Sequence, residues 1–242
     1  MNRITSLANP LVKELLEIKR DQTKASSVYF LVEGHHMVDM AIKSGLIEDI
    51  YSIEHQGDLD CVLVNDAIIK KISSTVSPQG VVAKCKKDLG EVISSNIVFY
   101  LDGVQDPGNV GSIMRTMLAF GFYDLILSPD CASIYNSKTL LASQGANFSI
   151  RTKVLSNESL IDWAKDNKYA IVTTELSDSA KLLEEVDFGS KTVLIFGSEG
   201  SGVSPLLRAN KDMAIYIPIE NIDSLNVGVA FGIISASISK KC

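Results

Sequence analysis

Apolar and polar positions alternate along this chain in two distinct blocks. Residues 10–20 (PLVKELLEIKR) repeat apolar side chains at helical spacing, with Pro10 placed as a first-turn proline. VYFLV (28–32) reads as a short strand, and 35–43 as a helix that ends near Gly45. β-like runs follow at 49–53, 61–64 and 80–85, with a helix over 66–72. This is a small alternating α/β unit, expected over residues 1–90. KKDLGEVISSN (86–96) is polar enough for a linker or linking helix.

The pattern then restarts with a strongly apolar strand, IVFYL (97–101). Further strand-like runs lie at 124–128, 169–174, 191–197 and 213–219, with helical stretches near 110–120, 137–143, 157–167, 203–209 and 225–238. Buried apolar strands alternating with helices imply an α/β domain, expected over 91–242, with a parallel sheet covered on both faces.

The bulk numbers narrow the classes. No apolar run approaches the roughly 18–20 uncharged residues that cross a bilayer, and the N-terminus lacks a signal peptide's apolar stretch. A cytoplasmic protein without membrane contact is expected. The four cysteines (Cys61, Cys85, Cys131, Cys242) form no CxxC pair, and the three histidines form no HExxH, so no metal site is expected. The net charge is −6, which alone argues against tight nonspecific nucleic-acid binding. Residues 1–90 carry 11 Lys/Arg against 12 Asp/Glu, a net of −1, and 91–242 carry 12 against 17, a net of −5. The first block holds local basic clusters: Lys13, Lys19, Arg20 and Lys24, then Lys70 and Lys71, then Lys84, Lys86 and Lys87. These are either solvated faces or RNA contacts.

Three constellations carry candidate chemistry. DPGNVGSIMRTMLAFGF (106–122) follows a strand and opens a helix. Its glycines allow tight backbone geometry, Asn109 sits at a cap position, and free N–H groups there can hold an anion. Arg115 lies six residues on, nearly two turns, and is expected to project from roughly the same side as Asn109. A generic nucleotide-binding turn with a structural arginine would use the same residues. VLIFGSEGSGVSP (193–205) ends a buried strand in a glycine-rich turn with one acid, Glu199, where open α/β sheets bind ligands. It is neither a phosphate P-loop nor a serine nucleophile elbow, though Glu199 could equally be a cap. In IPIENIDSLNVGVAFGII (217–234), Ile217 and Pro218 end a strand and Ser224 is expected to cap a helix apolar almost all round. Asn226, a polar amide so near a buried helix start, needs partners.

Taken in this order, N-x5-R (Asn109, Arg115), GSEGxG (Gly197 to Gly202) and IP…SLNV (Ile217, Pro218, Ser224 to Val227) resemble motifs 1, 2 and 3 of the SpoU (TrmH-like) branch of the SPOUT RNA methyltransferases. YFLVEGHHMVDMAIKSG and ISSTVSPQGVVA resemble the L30e-like substrate-binding domain that often precedes that catalytic domain. The resemblance implies a C-terminal trefoil knot, a homodimer, and S-adenosylmethionine as methyl donor to a ribose 2′-OH of RNA, ribosomal RNA in preference to tRNA. It also implies roles. Arg115 would activate the hydroxyl, either with a phosphate taking the proton or, more plausibly for a group so rarely deprotonated, by stabilising the developing alkoxide. Asn109 would position Arg115 or the ribose, Glu199 would hold the arginine or the loop, and Ser224 and Asn226 would orient donor and acceptor. Thr173, Gly197, Ile217, Pro218, Leu225 and Asn226 would bind the donor, with Leu225 on the adenine and no acidic ribose clamp required. Competing readings are a non-catalytic RNA-binding protein that kept the fold, a tRNA base methyltransferase, and a nicotinamide oxidoreductase. The last would want a GxGxxG with a downstream acid, and neither is clear.

Overall fold

The computed structural model describes residues 3–57, 59–88, 93–177, 179–186, 188 and 191–239. The chain forms two compact units, one of residues 1–89 with 133–148 and the other of 90–132 with 149–242. Residues 89–92 of the polar stretch at 86–96 lie outside the described residues.

The first unit runs α1 (Pro10–Asp21), β1 (Tyr29–Glu33), α2 (His35–Ser44), β2 (Ile47–Ser52), β3 (Val62–Leu63), α3 (Asp66–Ile72) and β4 (Val81–Lys86). Asn9 caps α1 by accepting from Leu11 N, with Pro10 in the first turn, and α2 stops at Gly45, whose φ of 73° suits glycine. The sheet order is β1-β4-β2-β3. β4 runs antiparallel to both neighbours, and only β2–β3 is parallel. One face buries Val12, Leu15, Ile68 and Ile72 from α1 and α3. The other buries Phe30, Met37, Val38 and Ala41, and there Tyr135 and Phe148 close the core. Residues 133–148 therefore pack as part of this unit; within them lies the short helix α5 (Ser137–Ser143).

Three lysines of the basic clusters are used internally. Lys84 Nζ reaches Glu14 at 2.8 Å and lies over the Tyr29 ring. Lys87 is buried, donates to Lys24 O at 2.9 Å and stacks on Tyr135. Lys19 donates to the carbonyls of Lys71 and Ser73. Burial lowers the amine pKa of Lys87 and of Lys19. Lys13, Lys70, Lys71 and Lys86 remain exposed.

The second unit runs β5 (Ile97–Asp102), α4 (Pro107–Ala119), β6 (Asp124–Leu127), β7 (Arg151–Val154), α6 (Asn157–Asp166), β8 (Ala170–Thr174), β9 (Lys181–Leu182), β10 (Thr192–Gly197), α7 (Pro205–Ala209), β11 (Met213–Tyr216) and α8 (Val227–Ser239). Its sheet order is β7-β6-β5-β10-β8-β11-β9, and every pairing is parallel. β5 and β10 are buried along their length, so they read as continuous apolar runs. One face packs against α6 through Leu160, Ile161 and Ala164. On the other, Phe99 and Phe196 meet Phe231 of α8 with ring centroids 4.7 and 4.9 Å away. At the sheet's entry, the buried carboxylate of Asp124 binds Arg151 and accepts from the backbone of Ser94 and Ser95.

Two expectations shift. α8 begins at Val227, after the loop 217–226, because Asn226 rather than Ser224 supplies the cap: Asn226 Oδ1 accepts from Gly228 N at 2.9 Å and Val229 N at 3.3 Å. β11 ends at Tyr216, so Ile217 and Pro218 belong to the following loop.

Candidate active site

The glycine-rich turn after β10 is built by exclusion of side chains. A Cβ on Gly197 would lie 2.0 Å from the backbone carbon of Gly202, so glycine alone fits. Ser198 and Gly202 then bridge, with Gly202 N donating to Ser198 O at 2.8 Å, and Glu199 stands at the exposed tip. The turn's exit is held from the neighbouring strand. Asp102, buried at the C-terminal end of β5, accepts from Ser204 N at 2.7 Å and from Asn157 Nδ2 at 3.2 Å. Asn157 also donates to Ser204 Oγ at 2.9 Å. Both carboxylate oxygens are thus occupied, which compensates their burial.

Four residues beyond Asp102, Asp106 caps α4 by accepting from Asn109 N at 2.8 Å. This leaves the Asn109 side chain free to reach forward, and its amide donates to Glu199 Oε1 at 3.0 Å. Asn226 Nδ2 donates to the same Glu199 oxygen and to Asn109 Oδ1, the latter at 3.1 Å. Asn109, Glu199 and Asn226, one from each of the three motifs, form a closed ring of side-chain hydrogen bonds.

Two cavities meet at that ring. The larger, about 390 Å3, lies beyond the C-terminal ends of β8, β10 and β11. Phe196, Gly197, Ile217, Leu225, Val227 and Ala230 line it, with Ser224 and Asp223 at its polar margin. The smaller, about 290 Å3, is lined by residues 103–106, Asn109, the turn 198–201 and Val227. Ser198, Glu199, Ser201 and Val227 line both.

Gly197, Ile217, Ser224 and Leu225 of the expected donor-binding and catalytic residues therefore gather on the larger cavity, and Asn109 with Glu199 on the smaller. Others fall outside. Thr173 is fully buried within β8 and paired in register with both Ile195 and Ala214, so its backbone serves the sheet; the neighbouring Thr174 lines the cavity instead. Pro218 is exposed and lines neither cavity. Arg115 is exposed, lines neither cavity, and has no hydrogen bond or ion pair among the described residues. Its expected alignment with Asn109 is corrected by helix geometry: at about 3.6 residues per turn, six residues rotate a side chain some 120° off the starting face.

Asp102 and the pair Glu175–Arg208 were not singled out by sequence reading. Glu175 follows β8, lines the larger cavity, and meets Lys211 at 2.7 Å and Arg208 at 3.7 Å. Arg208 donates to Val203 O at 2.6 Å, linking the glycine-rich turn to the end of β8. The available signal was position, since each acid stands at a strand's C-terminal end. Among the described residues no group of three or more His, Cys, Asp or Glu could hold a metal ion.

Beyond the strand ends of a parallel α/β sheet there is thus a cavity edged by a ring of one residue from each of the three motifs. The chain belongs to the SpoU rRNA Methylase family, whose model matches residues 96–236. Residues 9–83 match the MRM3-like substrate binding domain. The chain is 31% identical to the 23S rRNA (guanosine(2553)-2'-O)-methyltransferase RlmP of Bacillus subtilis, covering 97% of this chain and 98% of that one. It superposes on an rRNA methyltransferase from Sinorhizobium meliloti with TM-score 0.88 at 26% identity, covering 99% and 98% of the two chains. An AdoMet-bound structure of an rRNA methyltransferase from the same organism gives TM-score 0.86, also at 26% identity, covering 99% and 98%.

Proposed function

We propose that this protein transfers a methyl group from S-adenosylmethionine to a ribose 2′-OH of ribosomal RNA. The observation that carries the reading is the ring of Asn109, Glu199 and Asn226 at the seam of two cavities, one apolar and donor-sized, the other polar. The naming of relatives as rRNA 2′-O-methyltransferases supports the acceptor class.

The residues present fit the donor. A cavity of about 390 Å3 lies within the usual range for small-molecule sites. Leu225, Ile217 and Phe196 offer apolar contact for an adenine, and Gly197 lines the same cavity at the strand end. Glu175 lines the same wall, with Oε1 held by Lys211 and Oε2 buried. When bound, S-adenosylmethionine supplies an electrophilic methyl group on a sulfonium. The protein's own part is placement, since in-line displacement gains most of its rate from near-attack geometry. Asn109 and Asn226, locked by Glu199, orient the acceptor ribose at the seam. Arg115 is exposed, has no partner among the described residues and lines neither cavity of its own chain, so its proposed role, stabilising negative charge on the 2′-oxygen, requires it to reach the site of a second copy in the proposed homodimer. A guanidinium stays protonated, so it acts as an electrostatic partner rather than as the base.

The active form is proposed to be a homodimer, located in the cytoplasm. Val229 and Ile233 of α8 are exposed apolar side chains on a helix otherwise packed into the core, which supports a subunit contact there. The strands that follow one another in the chain as β5, β8, β10 and β11 lie side by side as β5-β10-β8-β11, an order that suits the trefoil knot implied by the family resemblance. The exposed lysines of residues 1–89 are proposed to contact RNA phosphates. Mapping 2′-O-methyl positions in ribosomal RNA from cells with and without the protein tests the reading: one position should lose its methyl group when the protein is absent, and an unchanged map contradicts it.

A further inference from the structure

Gly103, Val104 and Gln105 join the end of β5 to Asp106, the cap of α4, and Asn109 follows three residues later. So short a link carries any shift in its path directly to the ring of Asn109, Glu199 and Asn226. The link also leaves the sheet sharply, since Gly103 has a φ of 67°, in the region that favours glycine. The ladders on the two sides of β5 end at Leu101 and Asp102. Beyond them the backbone needs other hydrogen-bond partners.

Those partners come from residues 128–132, just after β6. Gly103 N donates to Ser128 Oγ at 2.9 Å, and Ala132 N donates to Val104 O at 2.9 Å. The same segment is fixed to β5 itself: Leu101 O accepts from Ser128 N at 2.9 Å and from Cys131 Sγ at 3.2 Å. Ser128 is buried, and its hydroxyl lies 3.4 Å from Cys131 Sγ. Burial raises the Cys131 pKa, so the thiol stays protonated and keeps its bond to Leu101 O. A buried oxygen anchored to β5 thus sets the point at which the backbone turns out of the sheet. Ser128 lines neither cavity, so it can act on a bound molecule only through the loop it holds. We infer that Ser128 is a positioning residue for methyl transfer: its hydroxyl fixes Gly103, and through residues 103–106 it fixes the reach of Asn109 to Glu199. A displacement of about 1 Å that begins far from the chemistry can cost two orders of magnitude in rate. The inference rests on the proposed methyl transfer and adds to it a residue that governs the rate from outside the site.

Ser128→Ala removes the acceptor of Gly103 N and little else. Its control is Tyr169→Phe, which deletes a bond of similar length, from the Tyr169 hydroxyl to Ser95 O at 2.7 Å, where β8 and β5 begin rather than end. The purified full chains are assayed with tritiated S-adenosylmethionine and ribosomal RNA from cells lacking the protein. Donor Kd is measured by calorimetry, Tm by thermal unfolding, and amide hydrogen exchange over residues 103–109 and 193–205 by mass spectrometry. Ser128→Ala is expected to lower kcat at least about tenfold, with donor Kd and KM for RNA within about threefold of wild type. Exchange should quicken at 103–109 and stay unchanged at 193–205. Tyr169→Phe should lower Tm and keep kcat. Wild-type kcat in Ser128→Ala overturns the inference, as does an equal loss of kcat in Tyr169→Phe, which would reduce the effect to general destabilisation. A loss of kcat with unchanged exchange at 103–109, or one matched by a loss of donor affinity, overturns the route through the loop. A wild-type protein that labels no RNA overturns the proposed activity itself, and the inference with it.

Discussion

Asn226 Nδ2 lies 3.1 Å from Asn109 Oδ1, joining residues 117 positions apart. Glu199 Oε1 accepts from both asparagines, so one carboxylate oxygen sets the spacing between the starts of α4 and α8. Glu199→Gln retains an oxygen able to accept both bonds and should keep most activity. Glu199→Ala leaves two amides unpaired at the seam and should lower kcat by about 100-fold while changing donor affinity little. Single-turnover kinetics of the two variants check this; equal losses in both would point to the charge rather than the hydrogen-bond geometry.

Asp102 reaches the glycine-rich turn from a strand 102 residues away, through its 2.7 Å contact with Ser204 N. Asp102→Ala should leave that N–H and the Asn157 amide without their acceptor, costing about 1–3 kcal/mol of stability. The freed turn should also weaken donor binding. Thermal unfolding with and without S-adenosylmethionine separates the two effects: the ligand-induced rise in Tm should shrink, and an undiminished rise would show that the clamp serves stability alone.

The Asp124–Arg151 pair predicts an acid limit. Burial alone would raise the Asp124 pKa, but hydrogen bonds from Arg151 and Ser95 together hold it below the ordinary 3.8. A depressed carboxyl in the folded state contributes stability that is present above its unfolded pKa and lost as pH falls through the folded value. Denaturant unfolding from pH 7 down to about pH 3 should therefore show stability declining at the acid end. Asp124→Asn should be less stable at neutral pH and show less of that decline; an unchanged acid slope would contradict the assignment.

Much of this structure is legible from the residues. The buried strands of the parallel sheet announce themselves as apolar runs such as IVFYL and VLIFG, and each motif lies where its strand ends. β7 (RTKV) escapes such reading because it is a half-exposed edge strand with no apolar run. The allegiance of 133–148 escapes it as well, since Tyr135 and Phe148 pack on Phe30 by contacts that no local pattern records. In the site, polar residues flanked by glycines marked Asn109 and Glu199, and the need to satisfy an amide beside an apolar helix marked Asn226. Six residues of helix turn Arg115 away from the Asn109 face, and in β8 it is Thr174, one position after the buried Thr173, that lines the cavity. Asp102 lay hidden inside an apolar strand, where its partners at 157 and 204 are visible only in three dimensions.

The exposed pair Val229 and Ile233 gives the dimer proposal its test. Val229→Glu with Ile233→Glu should convert a dimeric species to monomer in light scattering coupled to gel filtration, since two charges on each side of a symmetric contact repel and lose their water. A wild-type protein that is monomeric at micromolar concentration, or a double variant that remains dimeric, would remove α8 from the interface.

Ribose methylation through Arg115 is open to a direct test. Purified protein is incubated with tritiated S-adenosylmethionine and ribosomal RNA from cells lacking it, and the RNA is digested to nucleosides. Label is expected in a single 2′-O-methylated nucleoside, with loss of at least about 100-fold of that label in Arg115→Ala and donor binding intact by calorimetry. Label in a base-methylated nucleoside, or near-normal turnover in Arg115→Ala, would contradict it.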